Sequence, residues 1–273
     1  MLIEYIQSAT GGPTLRTLRT LVALVSLSLI LTTAKADAKN QNTLRRVRVP
    51  ILMYHYVSDL PKDADDIRRD LTVTPQRFRE QMDYLKAQGY TTISLYQLYD
   101  ALTKGTPLPP SPIILTFDDG YSDAYTNVFP ILRQYGFTGT FFIITGKPDN
   151  NAPGYMSWAQ IREMSDAGMS IEAHTKSHAD LRGRSQDFLV YEILGSLQSI
   201  EAHTSRTPHM FAYPSGHYDA ETLKVLRQLP VWIAVTTEHG QRATSTDLLL
   251  TPRLRIHGDT GVAGLAALLK APN

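Results

Sequence analysis

Two pairs of side chains in this chain are spaced for chemistry: the adjacent carboxylates Asp118 and Asp119, and the imidazoles of His174 and His178. Either pair alone is a weak signal. An Asp-Asp-Gly run ends many strands at a turn, and two histidines four positions apart often lie on a surface. Together they form a donor set for a divalent cation. The two imidazoles converge on one point if the intervening residues make a helical turn. One carboxylate then completes a facial two-His, one-Asp site with open positions. Such a site polarises a substrate oxygen and activates water, and the remaining carboxylate can take the proton of that water.

The surrounding sequence must bring these pairs to one place. Ile113-Ile114-Leu115 is a continuous apolar run leading into Thr116-Phe117-Asp118-Asp119-Gly120, as in a strand buried on both faces. Gly120 releases the chain into a tight turn, which suits the C-terminal rim of a parallel sheet. A second apolar run, Met169 to Ala173, ends at His174, so both pairs start from the same rim. Further strands are expected at Val49–Tyr54, Thr91–Leu95, Thr140–Ile144, Met210–Tyr213, Val231–Thr236 and Leu254–Ile256. Helices are expected between them. Thr74-Pro75 reads as an N-cap and first helical position, and Ser157 with Gln160 reads as a capping box. This alternation predicts an α/β fold, a distorted (β/α) barrel of seven to eight βα units in a single domain over residues 49–271. A doubly wound open sheet is the alternative, though glycine-rich phosphate loops of the dinucleotide or Walker type are missing.

Composition narrows the function classes. With 27 Lys+Arg against 26 Asp+Glu and no basic run, nothing in the chain asks for nucleic acid. Cys 0 excludes disulfides and thiol catalysis, leaving His and carboxylate as metal ligands. Arg16 and Arg19 precede the apolar stretch Leu21–Leu31, and Ala34-Lys35-Ala36 follows. That is the layout of a secretory signal peptide, with an apolar core shorter than the ~20 residues of a comfortable membrane span. Residues 1–38 are therefore expected to be a signal peptide or N-terminal membrane anchor, and 39–48 a spacer outside the fold. The body of the protein is expected to be secreted or held at the cell envelope.

Thr116-Phe117-Asp118-Asp119-Gly120-Tyr121 followed by His174-Thr175-Lys176-Ser177-His178 resembles the NodB-type polysaccharide deacetylases, carbohydrate esterase family 4. Gly139-Thr140-Phe141-Phe142-Ile143 and Phe211-Ala212-Tyr213-Pro214-Ser215-Gly216 are similar to the family as well. The resemblance implies a metal-dependent hydrolase that removes N-acetyl groups from an acetylated glycan, and the chain is expected to act as a monomer. It implies Asp118 as general base and Asp119, His174 and His178 as ligands of a divalent ion, zinc first, with cobalt or nickel as alternatives. The family's base-orienting Arg falls here on Ala212, so Arg253 or Arg255 of the last strand must replace it. The family's oxyanion donor falls on Ser215, whose backbone N–H survives the side-chain change. The general acid is expected at His55, because Pro50 to Val57 resembles the poly-N-acetylglucosamine deacetylase branch, with His257 as the second candidate. Tyr121 and Tyr213 are expected to line the sugar groove. A deacetylase for a non-glycan acyl substrate and a silent carbohydrate-binding barrel are the rival readings.

Overall fold

The computed structural model describes residues 43–271. The expected signal peptide or anchor, 1–38, lies outside the described residues. Among the described residues no helix is long and apolar enough to cross a membrane.

Seven parallel strands close into a ring. They are β1 (Ile51–Tyr54), β2 (Pro112–Phe117), β3 (Thr140–Ile143), β4 (Ser170–Ala173), β5 (Met210–Ala212), β6 (Ile233–His239) and β7 (Thr251–Arg255). Each pairs with its successor, and the ring is completed by β1 lying between β2 (Leu52 beside Leu115) and β7 (Leu52 beside Leu254). The expected barrel is therefore present as seven closed strands. The eighth run shrinks to Thr91–Thr92, which pairs with Pro112 and Ile113 on the side of the ring. It stops early because Ser94 caps the helix Leu95–Thr103 through a capping box with Gln97.

The strands are mostly apolar because both faces are buried, and the two faces fill different cores. Ile51, Ile114, Phe142, Met210, Ala212, Ile233 and Val235 pack inside the ring. Leu52, Tyr54, Leu115, Phe117, Phe141, Ile143, Phe211 and Leu254, one residue out of phase, pack against the helices. The helix Gln186–Thr204 meets this outer layer with Leu189, Ile193, Leu197 and Ile200, a spacing that keeps one face apolar.

Two expectations are corrected. The stretch 39–48 is not all spacer, since Arg46–Arg48 pairs antiparallel with Arg242–Thr244 and Arg45 donates to the Thr103 carbonyl at 2.9 Å. Trp232 precedes its strand and is 36% exposed, stacked between Tyr99 and His209 at 4.9 and 3.9 Å.

Candidate active site

The C-terminal end of β2 is fixed from behind by aromatics. Phe117 stacks on Tyr54 at 5.3 Å and on Phe141 at 4.8 Å, contacts worth about 0.5–1.5 kcal/mol each beyond area burial. The Asp118 N–H then donates to the Tyr54 carbonyl at 3.0 Å, which places Asp118 beside the end of β1. Asp119 and Gly120 both turn left-handed, with φ of 75° and 79°. Left-handed backbone also occurs at Thr175, His178 and Ser215, so it gathers around this rim. Non-glycine residues hold such angles only where the surroundings enforce them, commonly at functional sites.

Asp119, His174 and His178 offer ligand atoms that all lie within 4.8 Å of one another. The Asp119 Oδ1 is 3.3 Å from His174 Nε2 and 3.4 Å from His178 Nε2. Yet this buried oxygen makes no hydrogen bond. An orphaned carboxylate oxygen facing two imidazole nitrogens is costly by itself and fits a bound divalent cation. The rings fit as well. His174 Nδ1–H donates to the Ala212 carbonyl at 2.7 Å, which leaves Nε2 with a free lone pair toward Asp119. Burial pushes the Asp119 carboxyl up, but the close approach and charge of His174, with the charges of His55 and His178, outweigh it and hold it below the ordinary range. Burial lowers His174, but Asp119 and Asp118 raise it overall. His178 is lowered by burial and by the charge of His174.

The loop between the histidines is held by a residue that motif reading did not single out. Glu192, buried on the helix Gln186–Thr204, accepts from the Lys176 and Ser177 N–H groups at 3.0 and 2.9 Å and from Ser177 Oγ at 2.8 Å. The His178 N–H donates to Thr175 Oγ1 at 2.9 Å, closing the turn. The sequence signal was a carboxylate inside the apolar stripe of an amphipathic helix.

Asp118 has a different environment. Arg253 donates to both of its oxygens, Nη1 to Oδ1 and Nη2 to Oδ2, each at 2.7 Å. Both side chains are buried, and Arg253 is itself anchored to the Thr236 carbonyl at 2.9 Å and to Thr116 Oγ1 at 3.0 Å. Burial pushes the Asp118 carboxyl up, but the Arg253 charge and hydrogen bonds more than offset this and keep it ionised. Two oxygens carry about four acceptor sites, so the bidentate pair still leaves capacity to take a proton. Ala212 contributes only a methyl to the interior at the position where the family's Arg was expected. Arg255 donates no hydrogen bond to Asp118.

The two candidate acids separate. His55 ends β1 beside this cluster and feels both Asp118 and Asp119, while its buried Nδ1 has no partner. Burial nevertheless holds it below the usual histidine range. His257 points elsewhere, paired through Nδ1 with Asp70 at 2.7 Å, and both side chains are 47% exposed. Tyr213 does not line the groove. Its side chain belongs to the outer core and donates to the Leu249 carbonyl at 2.9 Å. Ser215 is exposed on a turn closed by Gly216 and His217 N–H groups, which donate to Tyr213 and Pro214 and leave the Ser215 N–H unused. Tyr121 stacks on Tyr56 at 3.7 Å and tilts against Tyr155 at 5.1 Å, forming a wall beside Asp119.

A cavity of about 330 Å³ opens at the other end of the barrel, lined by Ser94, Tyr96, Glu172 and Arg206 among others. Glu172 is satisfied there by Ser170 Oγ and by the His209 and Met210 N–H groups at 2.7, 3.1 and 2.9 Å.

Comparison with known proteins agrees with the geometry. Residues 105–234 match the family described as Polysaccharide deacetylase. The Bacillus subtilis protein YxkH is 30% identical over 224 residues, covering 82% of this chain and 76% of that protein. The chain belongs to the polysaccharide deacetylase family. Relatives so named are deacetylases, hydrolases acting on N-acetyl amide bonds. The Streptococcus pyogenes deacetylase PplD, solved in complex with acetate, superposes with a TM-score of 0.77 at 30% identity, over 83% of this chain and all of that one. The poly-β-1,6-N-acetyl-D-glucosamine N-deacetylase of Escherichia coli is 25% identical over 246 residues, 75% of this chain but 36% of the enzyme.

Proposed function

We propose that this deacetylase removes N-acetyl groups from an N-acetylglucosamine-containing polysaccharide outside the cytoplasm, using a divalent ion held by Asp119, His174 and His178. The observation that carries this is the pairing of two unlike carboxylates. Asp118 is kept ionised by Arg253, while Asp119 faces two imidazoles with an oxygen that lacks any hydrogen bond. A zinc-like ion there would polarise the acetyl carbonyl and acidify a water. Asp118 takes the proton from the attacking water, and the Ser215 N–H steadies the developing oxyanion. His55, whose burial weakens its hold on a proton, delivers one to the leaving amine. The Tyr56–Tyr121–Tyr155 wall would flank the sugar beside Asp119. Residues 1–38 would export or anchor a catalytic domain that begins near Leu44.

The test is acetate release from N-acetylglucosamine oligomers by protein stripped of metal and resupplied with zinc, cobalt or nickel. Release should return with metal. Asp118→Asn should abolish turnover while keeping the ion, and His178→Ala should lose both. Full turnover by Asp118→Asn would remove the proposed base.

A further inference from the structure

Among the described residues Arg255 is a cation without a partner, placed at the mouth of the barrel. It follows Arg253 by two residues on β7, so strand alternation puts both on the inward face. Arg253 reaches down into the ring, whereas Arg255 lies in register with Met53 of β1. The next inward residue of β1 is His55, so Arg255 stands one step from it, half-buried at the rim. The field of Arg255 at His55 agrees with this placement.

The nearby carboxylates are already engaged. Asp118 has both oxygens on Arg253, Asp119 faces His174 and His178, and Asp70 is paired with His257. Other arginines on this side have partners: Arg182 binds Asp180, and Arg68 lies 3.2 Å above the Tyr56 ring and donates to Ser58. Among the described residues no acceptor meets the Arg255 guanidinium. A partly desolvated, always-charged fork at the rim of the cleft is matched to a carboxylate or phosphate and not to a neutral hydroxyl.

We propose that Arg255 forms an anion subsite, which binds a carboxylate or phosphate substituent on or next to the sugar whose acetamide is cleaved. This rests on the deacetylase reading and narrows its substrate to an acidic acetamido glycan. It also gives the missing base-orienting role of Arg255 a replacement: the residue addresses the substrate and leaves Asp118 to Arg253.

Three oligomers of equal length test it: neutral N-acetylglucosamine, the same backbone with lactyl carboxylates on alternate sugars, and the same backbone phosphorylated at primary hydroxyls. Wild-type metal-loaded protein should prefer one acidic oligomer over the neutral one in kcat/KM by about tenfold or more, mainly through KM. Which acidic oligomer leads decides between carboxylate and phosphate. Arg255→Ala should bring the ratio near one, and Arg255→Lys should keep part of it. An equal ratio in wild type and Arg255→Ala overturns the subsite. So does a variant that changes only inhibition by acetate, since Arg255 would then hold the product. Calorimetric titration with the same oligomers separates the two readings. If no oligomer is hydrolysed, the deacetylase substrate is wrong, but acidic-over-neutral binding that vanishes in Arg255→Ala still supports the subsite. Binding that ignores both charge and Arg255 overturns it.

Discussion

Replacing Arg253 by Met tests how Asp118, the proposed base, is kept ionised. Both partners are buried, with side-chain exposures of 0% for Arg253 and 3% for Asp118, and the two hydrogen bonds are 2.7 Å each. Met fills much of the Arg stem volume, so the loss falls on charge and not on packing. Removing one member of a buried pair strands the other and costs about 3–5 kcal/mol. For a domain of this size that lowers the melting midpoint by roughly 2–4 °C per kcal/mol. The pH dependence changes sign as well. In the wild type the depressed Asp118 carboxyl adds stability above the ordinary carboxylate range, and that share is lost as pH falls through its native value. In Arg253→Met the strongest influence opposing burial is gone and only the charges of His174 and His55 still act against it, so the carboxyl rises above its unfolded value and stability now falls as pH rises toward neutrality. The acidic limb of the kcat/KM profile should move upward with it, so activity drops more at pH 6 than at pH 8.5. Urea unfolding at pH 5 and 8, together with the pH–rate profile, measures both effects. A variant within about 1 kcal/mol of wild type and with an unmoved acidic limb would refute the assignment of Arg253 as the group that holds Asp118 ionised.

Other expectations follow from the same contacts. His55→Ala should lower kcat by about 10²–10⁴-fold, the range for a general acid, whereas His257→Ala should change it by no more than a few-fold; the opposite order would exchange their roles. Glu192→Ala frees the Lys176–Ser177 backbone and should weaken metal affinity by about 10–100-fold, and unchanged affinity in a chelator competition would make Glu192 a packing residue only. Burial pushes the Glu172 carboxyl up to about 7, so the wild type should lose stability as pH rises from about 4.5 through 7, by up to roughly 3 kcal/mol. Glu172→Gln should flatten that part of the profile, and identical urea curves for the two proteins at pH 5 and 8 would show that Glu172 does not titrate there.

Local chemistry made much of this protein legible in its sequence. Apolar runs ending in Asp-Asp-Gly and in His-x-x-x-His could be placed on one rim, because buried parallel strands, β-branched and continuous, leave their polar residues at the C-terminal ends. Thr74-Pro75 and the Ser157–Gln160 box start helices where their side-chain bonding requires. The run at Thr91 yields a strand of only two residues, since the Ser94 capping box competes with its extension. The direction of Tyr213 was also hidden: one step of strand phase decides whether a residue faces the ring or the helices.

What only the tertiary structure decided is who stands beside whom across the ring. Arg253 lies 135 residues from Asp118, yet β7 and β2 flank β1 and aim both side chains inward. His55 and His257 look alike in sequence, but closure of β1 against β2 puts His55 at the carboxylates, while the chain beyond β7 gives His257 to Asp70. The residues able to do the chemistry follow from side-chain type and strand ends. Their partners follow from barrel closure, a long-range packing event that no local spacing encodes.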